Sequence, residues 1–136
     1  MAILTKDQIL AAEDLKSELV DFSEWWGGEA WVRGLTGQQR DDYEASCMRA
    51  SGSGRGVRLT PDFSNSNARL AVKCLVDADG KRIFADADAK ALGEKSAGAI
   101  SKCVAVVRRL SGMDEEAAEI LRKNSLTGQS DDSTSD

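Results

Sequence analysis

A chain of 136 residues, 41 % hydrophobic and 30 % charged, is long enough to close one hydrophobic core and too apolar for wholesale disorder. Its formal charge of −5 argues against a dedicated nucleic-acid binder, whose affinity rests on a basic surface. There is no histidine to complete a zinc site or a Cys-His catalytic pair, and the three cysteines, Cys47, Cys74 and Cys103, are far apart with no C-x-x-C spacing.

The cysteines therefore read as small core residues of a reducing compartment. The opening MAILTKDQIL lacks the basic stretch and apolar run of a signal peptide, and no window approaches the ~20 apolar residues that cross a bilayer. A cytosolic protein is expected. Thr5 and Gln8 have the spacing of a capping box, which predicts a short amphipathic helix over residues 6–13.

From Leu15 to Ser23 the pattern alternates, with Glu18, Val20 and Phe22 on one side and Leu19 and Asp21 on the other. Residues Ala30 to Leu35 alternate likewise, with Trp31, Arg33 and Leu35 on one face. Gly27-Gly28 between them can supply the positive φ of a tight turn, so a β-hairpin is predicted. This block, SEWWGGEAWVRGLTGQQRDDYE, holds all three tryptophans and the one tyrosine. Adjacent residues of a strand face opposite ways, so Trp25 and Trp26 cannot both enter one core. One of them is expected at a surface, as an anchor for a partner or a sister subunit.

Thr36 and Gln39 form a second capping box, opening a helix that should reach about Ala50, with Tyr43, Cys47 and Ala50 on one face. SGSGRGVR, residues 51–58, reads as a flexible loop. Asp62 or Ser64 can cap the next helix, where Ala68, Ala71, Val72 and Leu75 recur at helical spacing and Leu70, Cys74 and Val76 widen the stripe. Asp79-Gly80 is a turn signal that fits either a second short hairpin or a helix-to-strand reversal. Asp86 and Asp88 favour a helix start and Gly93 a stop. Ile100, Cys103, Val104, Val107 and Leu110 line the most regular helix, which ends in Arg108-Arg109 and Gly112. A last helix is expected over Glu115 to Lys123, with Asp114 as its cap. NSLTGQSDDSTSD has one apolar residue in thirteen, too few to offset its ordering entropy. The fold class is α+β: a mainly helical single domain over residues 1–123 with an N-terminal β-hairpin, followed by a disordered acidic tail over 124–136.

No motif supplies chemistry. An EF-hand count from Asp77 puts glycine at position 4 and lysine at 5, which turns the loop in the wrong place for calcium. SGSGRGVR lacks the G-K-[ST] ending of a P-loop, and no G-x-S-x-G elbow occurs. A non-enzymatic protein without cofactor or metal is expected, its partner-binding residues being Trp25, Trp26, Trp31 and Arg33.

Three segments carry a family resemblance: ILTKDQILAAEDLKSELVD, EWWGGEAWVRGLTGQQRDDYE and LVDADGKRIFADADAKALGEKSAGAI. In this order, covering most of residues 3–123, the chain resembles the tail assembly chaperones of long, non-contractile-tailed bacteriophages. Members often have a simpler WGG turn, so the extra tryptophan is a departure. The resemblance implies a protein that binds and solubilises the helical, aggregation-prone tape measure protein in the host cytoplasm and is absent from the mature virion. It also implies self-association and a longer form made by ribosomal frameshifting, with neither nucleic acid nor membrane as partner. The alternative is a structural tail or neck protein retained in the virion.

Overall fold

The computed structural model describes residues 2–52 and 54–113. In chain order these form α1 (Lys6–Ala11), β1 (Ser17–Asp21), α2 (Ser23–Trp26), β2 (Glu29–Arg33), α3 (Gly37–Ser46), β3 (Met48–Ser51), β4 (Arg58–Pro61), α4 (Ser66–Cys74), β5 (Leu75–Val76), α5 (Ala89–Leu92) and α6 (Ala97–Leu110). The class is α+β, as expected. The helix expected over Glu115 to Lys123 and the tail over 124–136 lie outside the described residues.

Strands β1, β2 and β5 make an antiparallel sheet in that order. Val20 pairs with Ala30 and Glu18 with Val32, which in turn faces Leu75. These residues share one face because strand side chains alternate, and on it Val20, Val32 and Leu75 are buried. Helix α6 packs on this face and α4 packs on α6. Ala68, Ala71 and Cys74 of α4 and Ala99, Cys103 and Val107 of α6 are all buried, so small side chains let the two helices approach closely. The stripe read from Ala68 to Val76 is the middle of the core. Its last two residues are strand rather than helix: the chain passes from α4 into β5 with no intervening loop.

Local signals act as expected at several ends. Both capping boxes form, with the Thr5 and Thr36 hydroxyls accepting from the Gln8 and Gln39 backbone N–H groups and both glutamine side chains answering. At Asp79-Gly80 the Asp77 carboxylate accepts from the N–H groups of Asp79 and Lys81, and Gly80 takes a φ of 83°. Arg82 returns as an antiparallel bridge to Val76, with Asp77 N–H donating to the Lys81 carbonyl and Ile83 N–H to that of Leu75, so the turn closes a minimal hairpin directly after α4.

Other elements depart from expectation. Helix α3 stops at Ser46 because Cys47 leads into β3, which pairs with β4 as a separate two-stranded ribbon around the glycine-rich segment. Helix α4 is capped by neither Asp62 nor Ser64. Its N-cap is Asn65, at a φ of 53°, whose side chain donates to the Ala89 carbonyl over 2.8 Å and lies over Gly93, where any Cβ would collide with it. Helix α1 forms, shorter than read, but buries no residue.

One polar cluster fastens the segment before α5 to α4. The Asp86 carboxylate accepts from Arg82 at 2.7 Å and from the buried Lys73 ammonium at 3.3 Å, while Arg82 also donates to the Val72 carbonyl. The Arg82 hydrogen bond, with Lys73 behind it, holds the Asp86 carboxyl below the usual carboxylate range. Folding therefore favours the ionised form, and that contribution is complete above the ordinary carboxylate pKa and lost as pH falls through the lower folded value. Asp86→Ala leaves the buried Lys73 cation unpaired and is expected to cost about 1–3 kcal/mol. Urea unfolding checks this: the loss at neutral pH should shrink on acidification, and adding Lys73→Met should restore most of it.

Candidate partner-binding surface

The connection between β1 and β2 is more than the tight turn read at Gly27-Gly28. The Asp21 carboxylate accepts from the Ser23 N–H over 2.8 Å, which starts a helical turn and holds the Asp21 carboxyl below its ordinary pKa. The Trp25 and Trp26 N–H groups both donate to the Phe22 carbonyl, Phe22 N–H donates to Gly28, and Gly27 ends the turn at a φ of 77°. The tryptophans are thus in a one-turn helix, where neighbours project about 100° apart rather than 180°. The expectation that strand geometry sends them to opposite faces is corrected. Both are half-buried and both pack against the core.

Each finds a different seat. The Trp26 ring tilts against Phe22 with 4.6 Å between centroids and an interplanar angle of 33°. The Trp25 ring lies across the first turn of α6 at Gly98, where a Cβ would come within 3.0 Å of the indole. Lys102 Nζ sits 5.9 Å from that ring and donates to the Asp21 carbonyl. Gly98 is a residue that the sequence pattern did not single out, and the absence of its side chain is what admits Trp25.

Trp26 also forms one wall of a groove of about 240 Å³, lined further by Ala30, Leu75, Ile83, Phe84, Leu92 and Lys95. Every lining residue except Lys95 is apolar or aromatic, and Ile83 is exposed. Trp31 and Arg33 lie elsewhere, on the opposite face of the sheet. There Leu19, Trp31 and Val76 form a row across the three strands, with Leu19 45 % exposed and Trp31 half-buried. Arg33 donates to the Gly80 carbonyl over 2.7 Å, tying β2 to the Asp79-Gly80 turn. The four sequence-selected residues therefore make two surfaces and one helix contact, not a single patch.

The family model described as phage tail assembly chaperone matches residues 5–125. The chain belongs to the phage tail assembly chaperone family. No curated protein and no solved structure matches it. Membership gives it a chaperone role in tail assembly.

The thiols of Cys74 and Cys103 lie in the core behind these surfaces. Burial pushes Cys74 up to about 12, although Arg33, Arg82 and Lys73 pull the other way. Burial likewise pushes Cys103 to about 12, with Cys74 adding to it. The thiolate is the reactive form, so these two are inert packing residues at neutral pH. Among the described residues, no group of three or more Cys, Asp or Glu side chains is gathered to hold a metal ion.

The two surfaces differ in what they do for stability. Trp26 fills space against Phe22, so Trp26→Ala is expected to cost about 2–3 kcal/mol, below the loss for a fully buried tryptophan. Trp31 contributes cross-strand contacts with Leu19 and Val76, and Trp31→Ala should cost about 1 kcal/mol or less. Urea unfolding of the two variants gives this order; a larger loss at Trp31 would contradict the placement.

Proposed function

We propose that this chain binds and solubilises the tape measure protein during tail morphogenesis, and that the Trp26 groove is the principal contact. The observation that carries the reading is an open apolar groove, beside a tryptophan-bearing helical turn, in a member of the tail assembly chaperone family. A long helical client with apolar stripes is kept from aggregating by many weak contacts, each covering a small apolar stretch. A groove of this size suits one or two side chains of such a helix, and Lys95 beside it can meet an acidic neighbour on the client.

Trp31 and Leu19, on the other face of the sheet, serve as a second contact, with Arg33 at its border and Trp25 bracing the helical turn from behind. Two surfaces on one small domain let several copies line one client, and copies of the chain associate with one another in doing so. The assembly works in the host cytoplasm, the protein is absent from the finished virion, and a longer form arises by frameshifting. The tail over residues 124–136, acidic and polar, keeps the assembly soluble.

Co-expression with the tape measure protein tests the reading. Ile83→Asp places a charge in the groove at an exposed position and is expected to leave the fold intact. The parent chain should keep the client in the soluble fraction, and Ile83→Asp should return most of it to the pellet. A client that stays insoluble with the parent chain, or equally soluble with both, contradicts the proposal.

A further inference from the structure

The β3–β4 ribbon has a composition that its place in the fold does not use. Its register pairs Met48 with Pro61 and Ala50 with Leu59 on one face, and Arg49 with Thr60 and Ser51 with Arg58 on the other. One face is thus apolar and the other basic. Yet every residue of both strands is exposed, Leu59 to 67 %, and Val57 and Phe63, on either side of β4, are exposed too. Among the described residues the ribbon is anchored at its base, where Asp62 N–H donates to the Cys47 carbonyl and Arg69 bridges the Ser46 and Asp62 carbonyls. Gly52, at a φ of 87° and in a position where a Cβ would collide with the Gly56 carbonyl, fixes the turn. A two-stranded ribbon with one apolar face is marginal in water unless something covers that face.

Charge identifies the occupant. Between Met48 and Pro61 the ribbon holds Arg49, Arg55 and Arg58 and no acid, so the acidic excess of the chain lies wholly outside it. Among the described residues, the amino-terminal segment is another stretch whose apolar side chains find no cover. Ile3 is 94 % exposed and Leu10 73 %, with Leu4 and Ile9 exposed beside them, and α1 buries nothing. In that segment Lys6 is outnumbered by Asp7, Glu13 and Asp14. One uncovered surface is apolar and basic, the other apolar and acidic.

We propose that the amino-terminal segment of one copy, residues 3–14, lies on the apolar face of the β3–β4 ribbon of a second copy. The contact joins two different surfaces, so it is made either by reciprocal exchange within a pair of copies or by head-to-tail repetition along several. The inference rests on the self-association in the reading above and needs no client, so the two can fail separately.

The test uses the full chain. One form carries Leu10→Cys and a differently sized form carries Leu59→Cys, and each is treated with a short bismaleimide alone and in mixture. The native cysteines are buried, which leaves the introduced thiols as the reactive ones. Cross-linked pairs should form in the mixture at least about tenfold more than in either form alone. In sedimentation, Leu10→Asp and Leu59→Asp should each weaken self-association at least about tenfold, the loss of roughly one well-buried side chain. Circular dichroism should remain unchanged, and added salt should weaken the parent's association. A chain that stays monomeric at every concentration overturns the proposal, as does cross-linking mainly between like forms. So does association lost with Leu59→Asp but untouched by Leu10→Asp, which would assign the ribbon to another occupant such as the client or residues 114–136.

Discussion

The close approach of α4 to α6 is the constraint from which the other placements follow. Alanines and cysteines at the contact bring the two helices together over side chains with no conformational freedom to lose or very little. Because α4 continues directly into β5, its position also sets the edge of the sheet, and β5 in turn holds β2 by two pairs of residues. At the other end of α6, Gly34 at the close of β2 passes so near the Leu110 carbonyl that a Cβ would sit 3.0 Å away. The Leu35 N–H is received there by the Ser111 hydroxyl. The sheet is thus pinned to α6 at both ends, by Trp25 on Gly98 and by Gly34 beneath Leu110.

Once that core closes, the apolar side chains left over are informative. Scattered exposed leucines need no explanation, but contiguous ones bounded by charge do. The Trp26 groove, the Leu19–Trp31 row and the ribbon face meet that description, and each lies outside the α4–α6 contact. A partner can therefore occupy any of them without opening the core. The buried thiols and the Lys73–Asp86 pair belong to the framework behind these surfaces and take no part in them.

Much of this was legible in the sequence because its causes are local. A capping box needs only residues three apart, and Thr5, Gln8, Thr36 and Gln39 declare two helix starts unaided. The apolar stripes of α4 and α6 repeat often enough to be unambiguous. The Trp25-Trp26 pair misled because four helical residues between two strands carry no period of their own, and the alternation on either side dominates. The hydrogen bond from Ser23 to Asp21 that starts the turn is an ordinary aspartate signal, visible only in retrospect. Gly98 could not have been found: its role is to lack a side chain where an indole more than seventy residues earlier comes to rest. The ribbon was missed for a third reason. Four residues to a strand, next to a glycine-rich segment, leave too short an alternation to overrule the helical pattern that opens at Thr36.

The central claim is that the framework stays closed while the groove beside Trp26 takes the client. Hydrogen–deuterium exchange of the chain, free and bound to soluble tape measure protein, tests this most directly. The account predicts slowed exchange over residues 22–30 and 83–95 in the complex, with α4 and α6 equally protected in both states. Protection confined to other segments, or an α4–α6 contact that loosens on binding, would contradict it.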